Sequence, residues 1–229
     1  MVGCSRCMNN NTHSAHAIPL WLKLAYTAFM AVLIPVYWYH YGPTNFLYFC
    51  DIALVFTLFG IWRESPLLLS LPAVGILMPQ ALWCLDFAAQ VCGFKMTGMT
   101  AYMVDETKPL FLRSLSLFHG WLPFLLAWLV FRLGYDRRAL KGWTVVASAS
   151  CLVAYFWLPK AGAILSDPNL PRNVNYVFGM DDAHPQTWMS PELYLVTWLA
   201  LLIFVVFVPT HFVLKKICPT LEQAAAKRA

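Results

Sequence analysis

Residues Leu193–Leu214 read LYLVTWLALLIFVVFVPTHFVL, and they decide the fold class because the stretch holds no Asp, Glu, Lys or Arg. About 20 apolar residues are enough for one α-helix to cross the hydrocarbon core of a bilayer. Further apolar stretches precede it at Ile18–Tyr39, Asn45–Trp62, Leu67–Leu85, Leu112–Phe131 and Trp143–Pro159. The sequence therefore predicts an all-α, polytopic membrane bundle of six transmembrane helices.

The composition agrees with a membrane protein, since 60% of the residues are hydrophobic and only 12% are charged. Soluble domains usually carry about 25% charged residues. We expect one transmembrane domain over residues 18–216, preceded by a polar tail over residues 1–17 and followed by a short polar tail over residues 217–229. The net charge of +5 forms no basic patch interleaved with aromatic residues. We therefore expect membrane lipids as partners and no nucleic acid.

The distribution of Lys and Arg predicts the orientation. With six crossings, both termini lie on one side of the membrane. That side collects Arg6, Lys23, Arg63, Arg132, Arg137, Arg138, Lys141, Lys215, Lys216, Lys227 and Arg228, and the other side has Lys95, Lys108, Arg113, Lys160 and Arg172. Because cytoplasmic loops are enriched in these residues, we expect a multi-pass protein of the cell membrane with both termini in the cytoplasm.

Two ionisable residues stand out well inside predicted spans, Asp51 in the second and His119 in the fourth. A charge at the centre of a membrane helix costs on the order of 2.5–3.5 kcal/mol, so such residues usually have a partner or a function. Counted from the predicted outer face, Asp51 lies roughly 9 Å deep and His119 roughly 10–13 Å deep. Gln80 belongs to the same half of the third span. We expect these side chains to meet at one level.

Acid–base chemistry is one use of such a set, because an imidazole near a buried carboxylate can accept a proton from a nucleophile. Cys50 is the nucleophile by residue type, and Thr44 and Tyr48 are the hydroxyl alternatives. The candidate catalytic residues are therefore His119, Cys50, Asp51 and Gln80. The alternative is structural, with Asp51, His119 and Gln80 holding helices together by hydrogen bonds.

A metal site is a weaker alternative. Its ligands would be Cys4, Cys7, His13 and His16 at the N-terminus, or His40, His119, His184 and Asp51 near the outer face. Neither set has the spacing that is typical of zinc ligands. We therefore expect no metal or other cofactor. The long polar loop that contains His184, about Lys160–Glu192, is either flexible or a functional cap.

Four short motifs resemble the YwaF-like bacterial integral membrane proteins, over roughly Asn45 to Leu214. They are Leu47–Ala53 (LYFCDIA), Gln80–Leu82, His119-Gly120 and Asn173–Tyr176. More distantly, His119-Gly120 followed by Leu122–Phe124 resembles the androgen-induced hydrolases of fatty-acid esters and a related acyltransferase of ether phospholipids. The resemblance implies six spans and an intramembrane nucleophile–histidine pair that acts on acyl esters.

Carried over by position, His119 matches the histidine of these proteins. Where the hydrolases have a threonine this chain has Tyr48, and Cys50 matches the cysteine of the acyltransferase. Three hypotheses follow. The first is a lipid acyl hydrolase or acyltransferase with His119 as general base, Cys50 as nucleophile, and Asp51 or Gln80 orienting the histidine or the acyl carbonyl. The second is a non-catalytic binder or small transporter, and the third is a structural membrane subunit.

Overall fold

The computed structural model describes residues 17–227, which form helices joined by loops, with no strand among them. The α-helices are α1 Leu20–Tyr41, α2 Phe49–Arg63, α3 Pro66–Val91, α4 Leu110–Leu115, α5 Phe118–Leu133, α6 Ala139–Trp157, α7 Pro191–Leu201, α8 Val208–Ile217 and α9 Leu221–Ala226. Short 3₁₀ turns occupy Pro43–Leu47, Ala101–Met103 and Val174–Tyr176. A π-helical segment, Leu202–Phe207, joins α7 to α8. The proposed metal ligands Cys4, Cys7, His13 and His16 lie outside the described residues.

Five helical segments are long and apolar enough to cross a membrane, which confirms five of the six predicted spans. They are Leu20–Tyr41, Pro66–Val91, Leu110–Leu133, Ala139–Trp157 and Pro191–Ile217. The predicted second span, Asn45–Trp62, is divided into the 3₁₀ turn and α2. With 15 residues, α2 is about 22 Å long. Among residues 17–227 the structure therefore gives five full-length spans, and the shorter α2 stands in place of the predicted second span.

The outer faces of these helices are apolar and exposed, as lipid contact requires. Phe59, Phe124, Phe156, Phe204 and Phe212 all point away from the core. Exposed tryptophans border this surface: Trp21, Trp62 and Trp128 at one end, and Trp38, Trp157 and Trp188 at the other. Along α1, the two tryptophan levels are about 26 Å apart, close to the thickness of a bilayer core. The chain is a multi-pass helical protein of the kind that crosses membranes.

The ends of the bundle differ. One end, here called the terminal end, holds both ends of the described chain. Ala17 N and Ile18 N donate hydrogen bonds to the Glu64 carboxylate, at 2.9 and 3.3 Å, and Tyr135 N donates to Pro219 O at 3.0 Å. The other end, the loop end, carries the segments between α3 and α4 and between α6 and α7. The predicted cytoplasmic placement of the terminal end stays a prediction.

Glu64 joins α1 to the turn between α2 and α3. Its backbone is left-handed, with φ of 48°, and its carboxylate accepts a 2.7 Å hydrogen bond from Lys23 Nζ. Desolvation opposes the ionisation of this carboxyl, but the hydrogen bonds from Lys23, Ala17 and Ile18 outweigh it, so the pKa of Glu64 is lowered. The ionised glutamate thereby stabilises the start of α1.

Helix α3 lies at the centre of the bundle and contacts α2, α5, α6 and α8. On its α6 side, the Trp143 indole lies against Gly75. A Cβ at residue 75 would be only 1.8 Å from Trp143 Nε1, so the helices can be this close only with glycine here. The same indole makes edge contacts with Phe49 and Phe56 of α2. Gly75 therefore sets the positions of three helices.

Candidate functional site

Asp51, Gln80 and His119 lie at one level of the bundle, as predicted. Asp51 is twelve residues before the end of α2, Gln80 is fourteen after the start of α3, and His119 is fourteen before the end of α5. At 1.5 Å per residue, these positions are about 18–21 Å from the terminal end of each helix. The three side chains therefore lie in the half of the bundle that is nearer the loop end.

Gln80 and His119 form a direct pair. The amide Nε2 lies 3.2 Å from His119 Nδ1, while the buried Oε1 has no hydrogen-bond partner among the described residues. Rotating the amide by 180° would exchange its two groups, with Oε1 accepting from Nδ1–H and the amide nitrogen left without a partner. In this arrangement the imidazole is neutral and its Nε2 has a free lone pair. Trp83 packs beside the ring, at 5.1 Å between centroids.

Asp51 has different neighbours. Its side chain is only 3% exposed, and Oδ2 accepts hydrogen bonds from Asn45 Nδ2 at 3.2 Å and from Cys50 Sγ at 3.7 Å. Oδ1 has no partner within residues 17–227. Asp51 and His119 form no hydrogen bond with each other within residues 17–227, and His119 lies against Gln80 instead. Two separate pairs form, Cys50–Asp51 and Gln80–His119.

Two tyrosines connect these pairs. Tyr37 Oη lies 2.9 Å from Ser116 Oγ, one helical turn before His119, and its phenol is close enough to interact electrostatically with Asp51. Tyr102 Oη accepts a 3.3 Å hydrogen bond from Trp83 Nε1, and its phenol is in turn an electrostatic neighbour of Cys50. The two pairs therefore border one polar cluster, here called the site cluster: Tyr37, Cys50, Asp51, Gln80, Trp83, Tyr102, Ser116 and His119.

Part of the site cluster is accessible. Asp51 and Gln80 are buried, whereas Cys50, Tyr102 and His119 keep some exposed surface. The thiol and the imidazole are therefore among the half-buried members of the site cluster.

No family model, curated protein or solved structure matches the chain.

The loop between α6 and α7 enters the bundle beside Cys50. Asn175 is 4% exposed, and its Oδ1 accepts a hydrogen bond from Phe49 N at 3.1 Å. Its Nδ2 donates to Leu47 O and to Ser150 Oγ, both at 2.9 Å, and Trp198 Nε1 donates to its carbonyl at 2.8 Å. This one side chain supplies partners for the non-helical backbone at the start of α2, as a membrane interior requires.

Two further polar residues at the loop end, Asp86 and His184, have local partners. Asp86 accepts hydrogen bonds from Thr97 N, Gly98 N and Thr100 N, and thereby fixes the loop after α3. His184 pairs with Asp181 on the exposed surface, at 3.1 Å. Among residues 17–227 no three His, Cys, Asp or Glu side chains are grouped closely enough to hold a metal ion.

Sequence reasoning missed Tyr37, Tyr102 and Ser116. In the sequence, Tyr37 is one of several aromatic residues at the end of the first span, and such residues usually mark the membrane interface. Tyr102 comes from a loop, so hydropathy gives no sign that its ring enters the bundle. The only sequence signal for the entering loop was the resemblance over Asn173–Tyr176.

Proposed function

We propose that this chain is a membrane-embedded enzyme that hydrolyses the acyl esters of lipids or transfers their acyl groups. Cys50 is the nucleophile and His119 is the general base. The observation that carries the proposal is that a thiol hydrogen-bonded to a carboxylate and an imidazole paired with an amide lie in the same half of the bundle. An activated nucleophile, a base and a group that orients the base are the parts that acyl transfer needs.

In the first step, the Cys50 sulfur attacks the ester carbonyl of the lipid. The thiol proton passes to Asp51 Oδ2, which already accepts the hydrogen bond from Sγ at 3.7 Å. The tetrahedral intermediate collapses by breaking the bond between the carbonyl carbon and the ester oxygen. The departing alkoxide takes the proton from Asp51, and the acyl group remains on Cys50 as a thioester.

In the second step, His119 activates the acceptor. With Gln80 Oε1 on Nδ1–H, the free Nε2 takes a proton from water or from the hydroxyl of an acceptor lipid. The resulting oxygen nucleophile attacks the thioester, the bond between carbon and sulfur breaks, and the sulfur recovers a proton from Nε2. Water gives a fatty acid and an alcohol gives a new ester, so hydrolysis and transfer use the same residues.

The surroundings support a lipid substrate. The helices expose apolar faces along their length, and the thiol lies in the first turn of α2, near the loop-end border of the bilayer core. The resemblance of the motifs around Cys50 and His119 to acyl-ester hydrolases and to an acyltransferase implies the same chemistry.

The test uses the purified full chain in lipid nanodiscs, with products measured by mass spectrometry. We expect release or exchange of fatty acyl chains, lowered at least about 10²-fold by Cys50→Ala and by His119→Gln, because a general base contributes about 10²–10⁴-fold. Cys218→Ala, at the terminal end, is the matched control and retains activity. No acyl product from the wild-type chain, or equal product from all variants, would contradict the proposal.

A second candidate function rests on Asp51 alone. Its Oδ1 has no hydrogen-bond donor and no cationic partner within the described residues, and buried carboxyl groups of this kind carry protons in transporters. Proton-coupled solute uptake into vesicles that is lost in Asp51→Asn, together with unchanged lipids, would favour this function. If Asp51→Asn and His119→Gln change only the stability of the protein, the site cluster is structural.

A further inference from the structure

A recess opens at the terminal end of the bundle, where α5 ends beside the turn between α8 and α9. Its volume is about 360 Å³, which is within the range of about 300–1,000 Å³ that is usual for small-molecule sites. Its lining includes Phe131, Lys216, Ile217, Gln223 and Lys227. The recess is at the opposite end of the bundle from the site cluster, so the proposed acyl transfer does not involve it.

Backbone contacts fix the shape of this recess. Pro219 O accepts a hydrogen bond from Tyr135 N at 3.0 Å, which ties the chain after α8 to the end of α5. Gly134, with φ of 91°, lies so close to α9 that a Cβ there would be 2.9 Å from Thr220 O. Ala224 of α9 is buried at the same contact. Because α9 is held against α5 in this way, the recess is preformed.

Gln223 supplies a hydrogen-bond donor to the lining. Its Oε1 accepts a hydrogen bond from Thr220 N at 2.9 Å, and its backbone N donates to Thr220 Oγ1 at 3.3 Å. This reciprocal arrangement is a capping box, and it fixes the orientation of the glutamine amide. The amide Nε2 has no acceptor in the described part of the chain, so it can donate to an occupant of the recess.

The charged part of the lining is positive. Lys216 and Lys227 are both exposed, and neither forms an ion pair with another residue between 17 and 227. Glu222 is the nearest acidic residue along the chain, and it neither lines the recess nor pairs with either lysine. Two ammonium groups without a carboxylate partner attract an anion, and phosphate is a common ligand of lysine.

The apolar part of the lining lies at the membrane border. Phe131 and Ile217 are 55% and 60% exposed. Trp128 precedes Phe131 by one turn of α5, and tryptophan rings favour the boundary between membrane and water. The Arg132 guanidinium lies over the Trp128 indole, at 5.5 Å from the ring centroid. The ligand that satisfies both parts of the lining therefore joins a negatively charged group to a hydrocarbon chain.

We propose that this recess binds the headgroup phosphate of an anionic phospholipid. Lys216 and Lys227 contact the phosphate oxygens, Gln223 Nε2 donates a hydrogen bond to the headgroup, and Phe131 and Ile217 pack against the acyl chains. Basic pockets between membrane helices bind anionic headgroups in this way. The inference goes beyond the proposed function and does not depend on it, because binding here requires no acyl transfer.

The test is native mass spectrometry of the full chain in detergent micelles, titrated with phosphatidylglycerol or with phosphatidylcholine of the same acyl chains. We expect the wild type to bind phosphatidylglycerol more tightly. The double variant Lys216→Gln, Lys227→Gln should weaken this binding about 10–30-fold, from roughly fivefold per lysine, and leave phosphatidylcholine binding unchanged. The matched control is Lys141→Gln, Lys215→Gln, which removes two exposed lysines of the same end that do not line the recess.

Three results would overturn the inference. Equal affinity of the wild type for the two lipids would show that the recess does not select anionic headgroups. Equal loss of phosphatidylglycerol binding in the control variant would show that the charge of the whole terminal end attracts the lipid. Displacement of the lipid by a similar concentration of glycerol 3-phosphate would show that the recess binds a soluble phosphate compound, with no contribution from acyl chains.

Discussion

Asn175 offers the sharpest test of how the loop is held in the bundle. Asn175→Gly removes three side-chain hydrogen bonds, to Phe49 N, Leu47 O and Ser150 Oγ, at a cost of about 1 kcal/mol each. We therefore expect the free energy of unfolding to fall by about 3 kcal/mol. Asn175→Ala loses the same bonds and keeps the Cβ on a left-handed residue, so it should be less stable than the glycine variant by about 1–2 kcal/mol.

The measurement is unfolding in mixed micelles with increasing SDS fraction, followed by tryptophan fluorescence. The control is Asn169→Ala, because Asn169 is an exposed asparagine of the same loop whose side chain bonds only to Asp167. Equal destabilisation by the glycine and alanine variants at residue 175 would refute the argument from left-handed backbone. If both variants unfold like the wild type, the hydrogen bonds of Asn175 do not anchor the loop.

Three further predictions concern packing, the first long loop and pH. Gly75→Ala should lower the midpoint of thermal unfolding by several degrees, because its Cβ would overlap the Trp143 indole; Gly120→Ala, whose Cβ meets nothing within 4 Å, should not. Asp86→Asn should speed tryptic cleavage of the loop after α3 several-fold, whereas Asp105→Asn, whose side chain accepts hydrogen bonds from Thr107 two residues away, should not. The pKa of Glu64 is lowered in the folded state, so the ionised carboxylate stabilises the fold above about pH 4.5 and this stabilisation is lost as the pH falls through the pKa of the folded protein. Glu64→Gln should therefore flatten the dependence of stability on pH in this range. An unchanged pH dependence would contradict the hydrogen-bonded pair of Glu64 and Lys23.

The sequence predicted well how deep the site residues lie in the bundle. The counts of apolar residues placed Asp51, Gln80 and His119 in the same half of the bundle, and helix rise converts such counts into depth with little error. Five predicted spans were confirmed for the same reason, since length and hydropathy are local properties of the chain.

The partners of the site residues could not be predicted in this way. Hydropathy runs unbroken through Asn45–Trp62, yet α2 begins only at Phe49, because Asn175 binds the backbone there from 126 positions along the chain. Likewise, nothing in the local sequence indicates that His119 pairs with Gln80 rather than with Asp51. Such choices depend on helix rotation and on long-range hydrogen bonds, which apolar periodicity does not encode.

The shortness of α2 has a consequence for the surrounding lipids. A helix of about 22 Å falls some 8 Å short of a 30 Å hydrocarbon core, and this hydrophobic mismatch is relieved when the bilayer becomes thinner beside it. Thinning on this flank lowers the glycerol esters of the adjacent leaflet towards the first turn of α2. Lipids with shorter acyl chains would fit this flank with the least deformation of the membrane.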